Sequence, residues 1–127
     1  MKTRLFIPIL FAAALSFTGC STVNLDPTGD TQAVYQLGKF EMLMNATAPA
    51  AYNAAQKALK DLDLFQTKST LNTFDAEISA RNRNDQKVFI SIAEVNSRQT
   101  MIKIRWGTVG SKTNSRALYE AIEKNLR

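Results

Sequence analysis

Three consecutive segments of this chain place apolar residues at every second position, and they are joined by links too short for a crossover. In residues 74–81, Phe74, Ala76, Ile78 and Ala80 alternate with Asp75, Glu77, Ser79 and Arg81. Residues 88–95 set Val88, Ile90 and Ile92 against Phe89, Ser91, Ala93 and Val95, and residues 100–108 set Ile102, Ile104 and Trp106 against Met101, Lys103 and Arg105. Period two is the signature of a half-buried strand. The links Arg83-Asn84-Asp85-Gln86 and Asn96-Ser97-Arg98-Gln99 consist of turn-forming residues and are short, which only an antiparallel pairing tolerates. The centre of the chain is therefore predicted to be an antiparallel meander with one face to be covered.

The flanking segments supply the cover. Residues 39–45 alternate Phe40, Met42 and Met44 with Lys39, Glu41 and Leu43, predicting a strand. Pro49 suits the first turn of a helix, and residues 50–61 are rich in good helix formers, with Tyr52, Ala55, Leu59 and Leu62 at helical spacing. A strand over residues 65–71 follows, turning at Asn72-Thr73. After Gly107 and Gly110, Ser111 is a suitable N-cap for a final helix whose Leu118, Ala121, Ile122 and Leu126 oppose Arg116, Glu120, Glu123 and Lys124. The order strand, helix, four strands, helix predicts an α+β fold of helix-grip type, an antiparallel sheet with both helices packed on one face.

Ahead of this domain lies a leader. Lys2 and Arg4 precede an apolar run over residues 5–15, too short to span a bilayer, and Thr18-Gly19-Cys20 closes it. Small residues before a cysteine suit a peptidase that cuts there and leaves Cys20 acylated. The division expected is a lipoprotein signal peptide over residues 1–19, an acylated cysteine and flexible tether over 20–36, and one α+β domain over 37–127. The tether reading rests on small, polar and turn residues from Ser21 to about Tyr35, with Asp26-Pro27-Thr28-Gly29-Asp30 in the middle, and such a coil spans on the order of 20 Å. Val34 and Tyr35 stand at its junction with the domain. Lipoproteins whose cysteine is followed by serine, as Cys20 is by Ser21, resemble those sorted to the outer membrane, so the expected place is its inner leaflet, facing the periplasm.

Composition narrows the chemistry. Cys20 is the single cysteine and histidine is absent, which excludes an internal disulfide, Ser/His/Asp and Cys/His nucleophile systems, the usual zinc sets and histidine switches. The formal charge of +5 falls to +3 once Lys2 and Arg4 leave with the leader, and basic residues alternate with acids, as in Asp75, Glu77, Arg81. That is no nucleic-acid footprint. No cofactor and no metal site is expected. The closest carboxylate pairs, Asp61 with Asp63 and Asp75 with Glu77, read as solvated residues at a helix end and on a strand face. Asn45-Ala46-Thr47 fits a glycosylation pattern, which a bacterial-type leader makes irrelevant.

Two surfaces remain as candidate sites. The sheet face away from the helices carries, by alternation, Lys39, Glu41, Leu43, Lys68, Glu77, Arg81, Phe89, Val95, Met101, Lys103 and Arg105, an apolar centre rimmed by charge. Such a face marks an interaction site, with Phe89, Met101, Lys103 and Arg105 at its heart and an envelope protein or polymer as partner. The alternative is a small-ligand or enzymatic cleft between helices and sheet, lined by Tyr52, Tyr119 and Trp106. An aromatic pocket of Trp106, Phe89, Met101 and Phe40 is a further arrangement, although at alternate strand positions such residues fill a core.

The segment Ile104-Arg105-Trp106-Gly107-Thr108-Val109-Gly110, with Ser115-Arg116-Ala117-Leu118 and Ile122-Glu123-Lys124-Asn125-Leu126, resembles the C-terminal signature of small bacterial lipoproteins of the domain of unknown function 3568 family. Ala46-Thr47-Ala48-Pro49-Ala50-Ala51-Tyr52 and Ala58-Leu59-Lys60-Asp61-Leu62 are similar to the proline-started helix of that family. The resemblance covers roughly residues 38–126. It departs from the pattern near the start, where members often have a glycine- and alanine-rich stretch. It implies an α+β envelope lipoprotein and no catalytic residues. The same succession of elements resembles, in architecture, the helix-grip modules of the outer-membrane assembly lipoprotein BamC, which implies an accessory role by analogy alone. The expectation is thus a membrane-anchored binding module without enzymatic activity.

Overall fold

The computed structural model describes residues 21–24 and 32–126, with side chains from residue 33 onward. The leader and Cys20 lie outside the described residues. The elements are β1 (Ser21–Asn24), β2 (Gln32–Gln36), β3 (Lys39–Met44), α1 (Ala48–Asp61), β4 (Phe65–Leu71), β5 (Asp75–Arg81), β6 (Lys87–Asn96), β7 (Gln99–Trp106) and α2 (Lys112–Asn125). They form a seven-stranded sheet in the order β1-β2-β3-β7-β6-β5-β4, with every neighbouring pair antiparallel. The α+β architecture and the four-strand meander β4 to β7 are as the alternation predicts. α1 carries the chain over the sheet from β3 to the β4 edge, which lets β7 return beside β3.

The first two strands correct the expected tether. Ser21 pairs with Tyr35 and Asn24 with Gln32, and β2 in turn pairs with β3, so the domain begins at Ser21 among the described residues. Without this hairpin β3 would end the sheet with an open row of backbone donors and acceptors, the liability that edge strands must manage. A ladder of backbone hydrogen bonds needs no apolar alternation, which is why the composition of this stretch did not announce it. Ala33, buried at 1% exposure, is the part of β2 that joins the core.

Both helices lie on one face of the sheet, with α1 over β4, β5 and β6 and α2 over β3 and β7. The core beneath them consists of Phe40, Ile78, Val88, Ile90, Ile92, Ile102 and Ile104 from the sheet and Leu59, Leu118, Tyr119 and Ile122 from the helices. Of the stripe predicted for α1, Ala55 and Leu59 are buried as expected and Tyr52 and Leu62 are not. Tyr52 is half-buried and Leu62 exposed, while Ala48, Ala51, Ala54, Ala55 and Ala58 are buried. Alanine on that face removes side-chain volume and brings the helix backbone close to its neighbours, which leaves Leu59 as the one large buried side chain of α1 and puts Tyr52 and Leu62 at the rim. Phe74 also departs from prediction: β5 starts at Asp75, so Phe74 belongs to the turn and stands 69% exposed.

The start of α1 is held from outside the helix. Thr47 Oγ1 accepts from Ala50 N at 3.4 Å, and Glu94 Oε1, reaching over from β6, accepts from Ala48 N at 2.9 Å. A carboxylate at this terminus also meets the positive end of the helix dipole. Beside it, the buried Thr100 donates through Oγ1 to Ala46 O at 2.6 Å, fixing the β3–α1 loop to β7.

Candidate interaction face

The register of the sheet assembles the open face row by row. Lys68 lies beside Ser79, Ser79 beside Phe89, Phe89 beside Arg105 and Arg105 beside Lys39. The next row runs Thr70, Glu77, Ser91, Lys103, Glu41, and the one beyond it Asp75, Ala93, Met101, Leu43. Phe89, Met101, Lys103 and Arg105 therefore share one face, opposite the helices, with Phe89 central and 40% exposed.

Charge on this face is unevenly paired. Lys103 Nζ stands 3.9 Å from Glu41 Oε1, and Arg81 Nη1 is 3.5 Å from Asp85 Oδ1. Arg105 Nη2 donates to Thr108 O at 2.8 Å, which holds its guanidinium toward the end of β7. Lys39, Lys68 and Lys87 make no ion pair with any described residue. Phe89 separates two shallow depressions. One of about 600 Å³ is bordered by Lys68, Arg81 and Lys87 together with Asp85, and the other, of about 280 Å³, by Lys39, Lys103 and Arg105. An aromatic ring flanked on both sides by basic side chains can stack on an apolar or planar group while the cations meet acidic groups beside it.

The other sequence-predicted sites do not assemble. Tyr119 packs in the core against Phe40, ring centroids 5.5 Å apart at 43°, whereas Tyr52 donates to Ser69 Oγ at 3.0 Å and Trp106 Nε1 donates to Gln86 Oε1 at 3.4 Å. These are three separate places, and no depression described for this surface is lined by any of them. Burial, reinforced by the charge of Glu123, pushes the Tyr119 phenol up to about 12, so it stays neutral across the physiological range. The aromatic pocket of Trp106, Phe89, Met101 and Phe40 is likewise split, because Phe40 is fully buried on the helix side. Asp61 accepts from Asn125 Nδ2 at 2.9 Å and Asp75 from Asn72 Nδ2, ordinary hydrogen bonds at a helix end and a turn. Among the described residues no three His, Cys, Asp or Glu side chains converge to hold a metal, and no helix is long and apolar enough to cross a membrane.

A family model described as a protein of unknown function (DUF3568) matches residues 4–125. The chain belongs to that family. The match takes in both helices and all seven strands, the hairpin of β1 and β2 among them, and also covers residues 4–20 ahead of the first strand. No curated protein matches the chain.

What the residues alone did not reveal on this face is Lys87. It follows a turn in the sequence and comes to the open face only because it pairs with Arg81 across β5 and β6.

Proposed function

We propose that this chain is a lipid-anchored envelope lipoprotein of the outer membrane, acting in the periplasm as a non-enzymatic module that holds an acidic protein or polymer against its open sheet face. The observation that carries this reading is Phe89, exposed between two depressions bordered by Lys68, Arg81, Lys87, Lys39, Lys103 and Arg105. An apolar centre ringed by charge is how docking surfaces exclude water at the middle and gain orientation at the rim. The sequence Thr18-Gly19-Cys20 supports the anchor, and mature lipoproteins of this kind carry more than one acyl chain, which a stable hold requires at about 0.8 kcal/mol per buried methylene.

Envelope pull-downs compare the wild-type chain with a variant carrying Phe89→Asp and Met101→Asp. Both positions are on the open face, so the variant should fold while its specific partner is lost. The same partner profile from a folded variant refutes the docking face. Membrane fractionation with metabolic acyl labelling tests the anchor. Cys20→Ser should abolish the label, and persistence of label in that variant, or soluble and unlabelled wild-type protein, refutes it.

A further inference from the structure

The end of the sheet at which β1 enters gathers two apolar tips that the docking face does not use, next to basic residues, Lys39, Arg81, Lys87 and Arg105, that border that face. Ser21 lies opposite Tyr35, which runs two residues on into the Leu37-Gly38 turn, so Ser21 is on the order of 10 Å from the tip of that turn. Cys20 is the residue next to Ser21 in the sequence.

The turn is mounted rigidly. Gly38 and Gly110 have φ of 77° and 85°, and a Cβ on Gly38 would stand 2.7 Å from Val109 O. A Cβ on Gly110 would come within 2.4 Å of Gly38 itself. The β2–β3 turn and the β7–α2 loop are thus pressed backbone to backbone, and each presents an apolar side chain outward: Leu37 is 79% exposed and Val109 86%. Leu37 also holds φ of 52°, a conformation costly for a branched side chain where asparagine or glycine is the usual choice. Nothing in the packing of the domain accounts for leucine there.

Basic residues surround the two tips. Lys39 pairs with Arg105 across β3 and β7, Lys112 opens α2, and Gly107 N donates to Lys87 O at 2.7 Å, bringing in the β5–β6 turn with Arg81 and Arg83. Residues 37–39, 81–87 and 105–112 hold six basic side chains and a single carboxylate, Asp85, which is paired with Arg81. Their net +5 exceeds the +3 that the chain keeps once Lys2 and Arg4 leave with the leader, and Asp63, two residues before the Phe65 that pairs with Arg81, is the acidic group at the far corner of this end.

We infer that this strand-end rim docks directly on an anionic phospholipid bilayer, with Leu37 and Val109 entering the interface and the basic residues meeting lipid phosphates. The inference rests on the lipid-anchor reading of Cys20. It replaces the expected tether with close apposition, because the ladder of β1 uses up the spacer. One anchored end, apolar tips and basic charge are the three elements that together give stable attachment at a membrane surface. In that pose the strands rise from the bilayer and the open face with Phe89 stays accessible to a partner.

The acylated full-length protein is reconstituted in phosphatidylethanolamine vesicles with or without phosphatidylglycerol. Since Cys20 is the single cysteine and is consumed by acylation, Leu37→Cys, Val109→Cys or Phe74→Cys each supplies a unique thiol for an environment-sensitive fluorophore. Labels at 37 and 109 should shift to the blue and be quenched by lipid-borne nitroxide when phosphatidylglycerol is present, while the label at 74 should remain aqueous. Lys39→Gln and Lys112→Gln should each weaken the docked state about five-fold. Protein that is acylated and floats with the vesicles but keeps aqueous labels at 37 and 109, or is quenched equally at 74, overturns the docking inference alone. Absence of acyl label and of flotation overturns the anchor reading, and this inference with it.

Discussion

The two faces of the sheet are built from the same strands and have opposite fates. On β6, Val88, Ile90 and Ile92 are buried under the helices, while Phe89, the largest side chain of that strand, lies 40% exposed on the other side. The covered face is almost purely aliphatic, and the open face intersperses Phe89, Met101 and Leu43 with charge. Apolar size therefore does not decide burial here. What decides it is which face can accept a helix, and a row carrying Lys39 and Lys68 cannot do so without stripping water from cations that make no ion pair with any described residue. The apolar residues on that face are then free to serve another surface.

The sharpest way to break the comparison is to truncate one residue on each side of β6. Ile90→Ala should cost about 2–5 kcal/mol, through lost burial and the cavity left behind, whereas Phe89→Ala should cost under about 1 kcal/mol. Midpoints of urea unfolding for the two variants measure the contrast, and equal losses would mean that Phe89 belongs to the core.

A second contrast is in pH dependence. With the phenol of Tyr119 raised to about 12 from an ordinary value of 10.0, the unfolded chain loses its proton first as pH rises. Stability is then fully present below pH 10 and falls between about 10 and 12, by on the order of 2–3 kcal/mol. Thermal unfolding across that range should show the fall, and Tyr119→Phe should remove this part of it.

The smallest expected effects sharpen the comparison from both sides. Ser115, fully buried in α2, has a hydroxyl with no hydrogen-bond partner, so Ser115→Ala should raise stability by about 1 kcal/mol in the same urea experiment. On the open face, Glu41→Gln removes the carboxylate facing Lys103, an exposed pair at 3.9 Å, and should change stability by less than about 1 kcal/mol. A loss several times larger would show that pairing on this face is structural.

Period-two alternation in residues 74–108 determined by itself that the centre is an antiparallel meander, and which residues share each face. It did so because a strand has only two sides and a register error of one residue would turn every isoleucine of β6 into water. The Pro49 and Ser111 neighbourhoods likewise marked where helices begin, since capping is a local matter of a few residues. Only the tertiary structure decided that Ser21–Asn24 and Gln32–Gln36 form strands, because their stabilisation comes from backbone pairing to β3, which composition does not encode. It alone placed Glu94 on the N-terminus of α1, across 46 residues of chain, and rotated the buried stripe of α1 onto its alanines, because the space between two packed layers is set by all the elements at once. The same holds for the rim that brings Leu37 and Val109 together: each is an unremarked apolar residue in a turn, and their adjacency exists only because Gly38 and Gly110 let two distant loops touch.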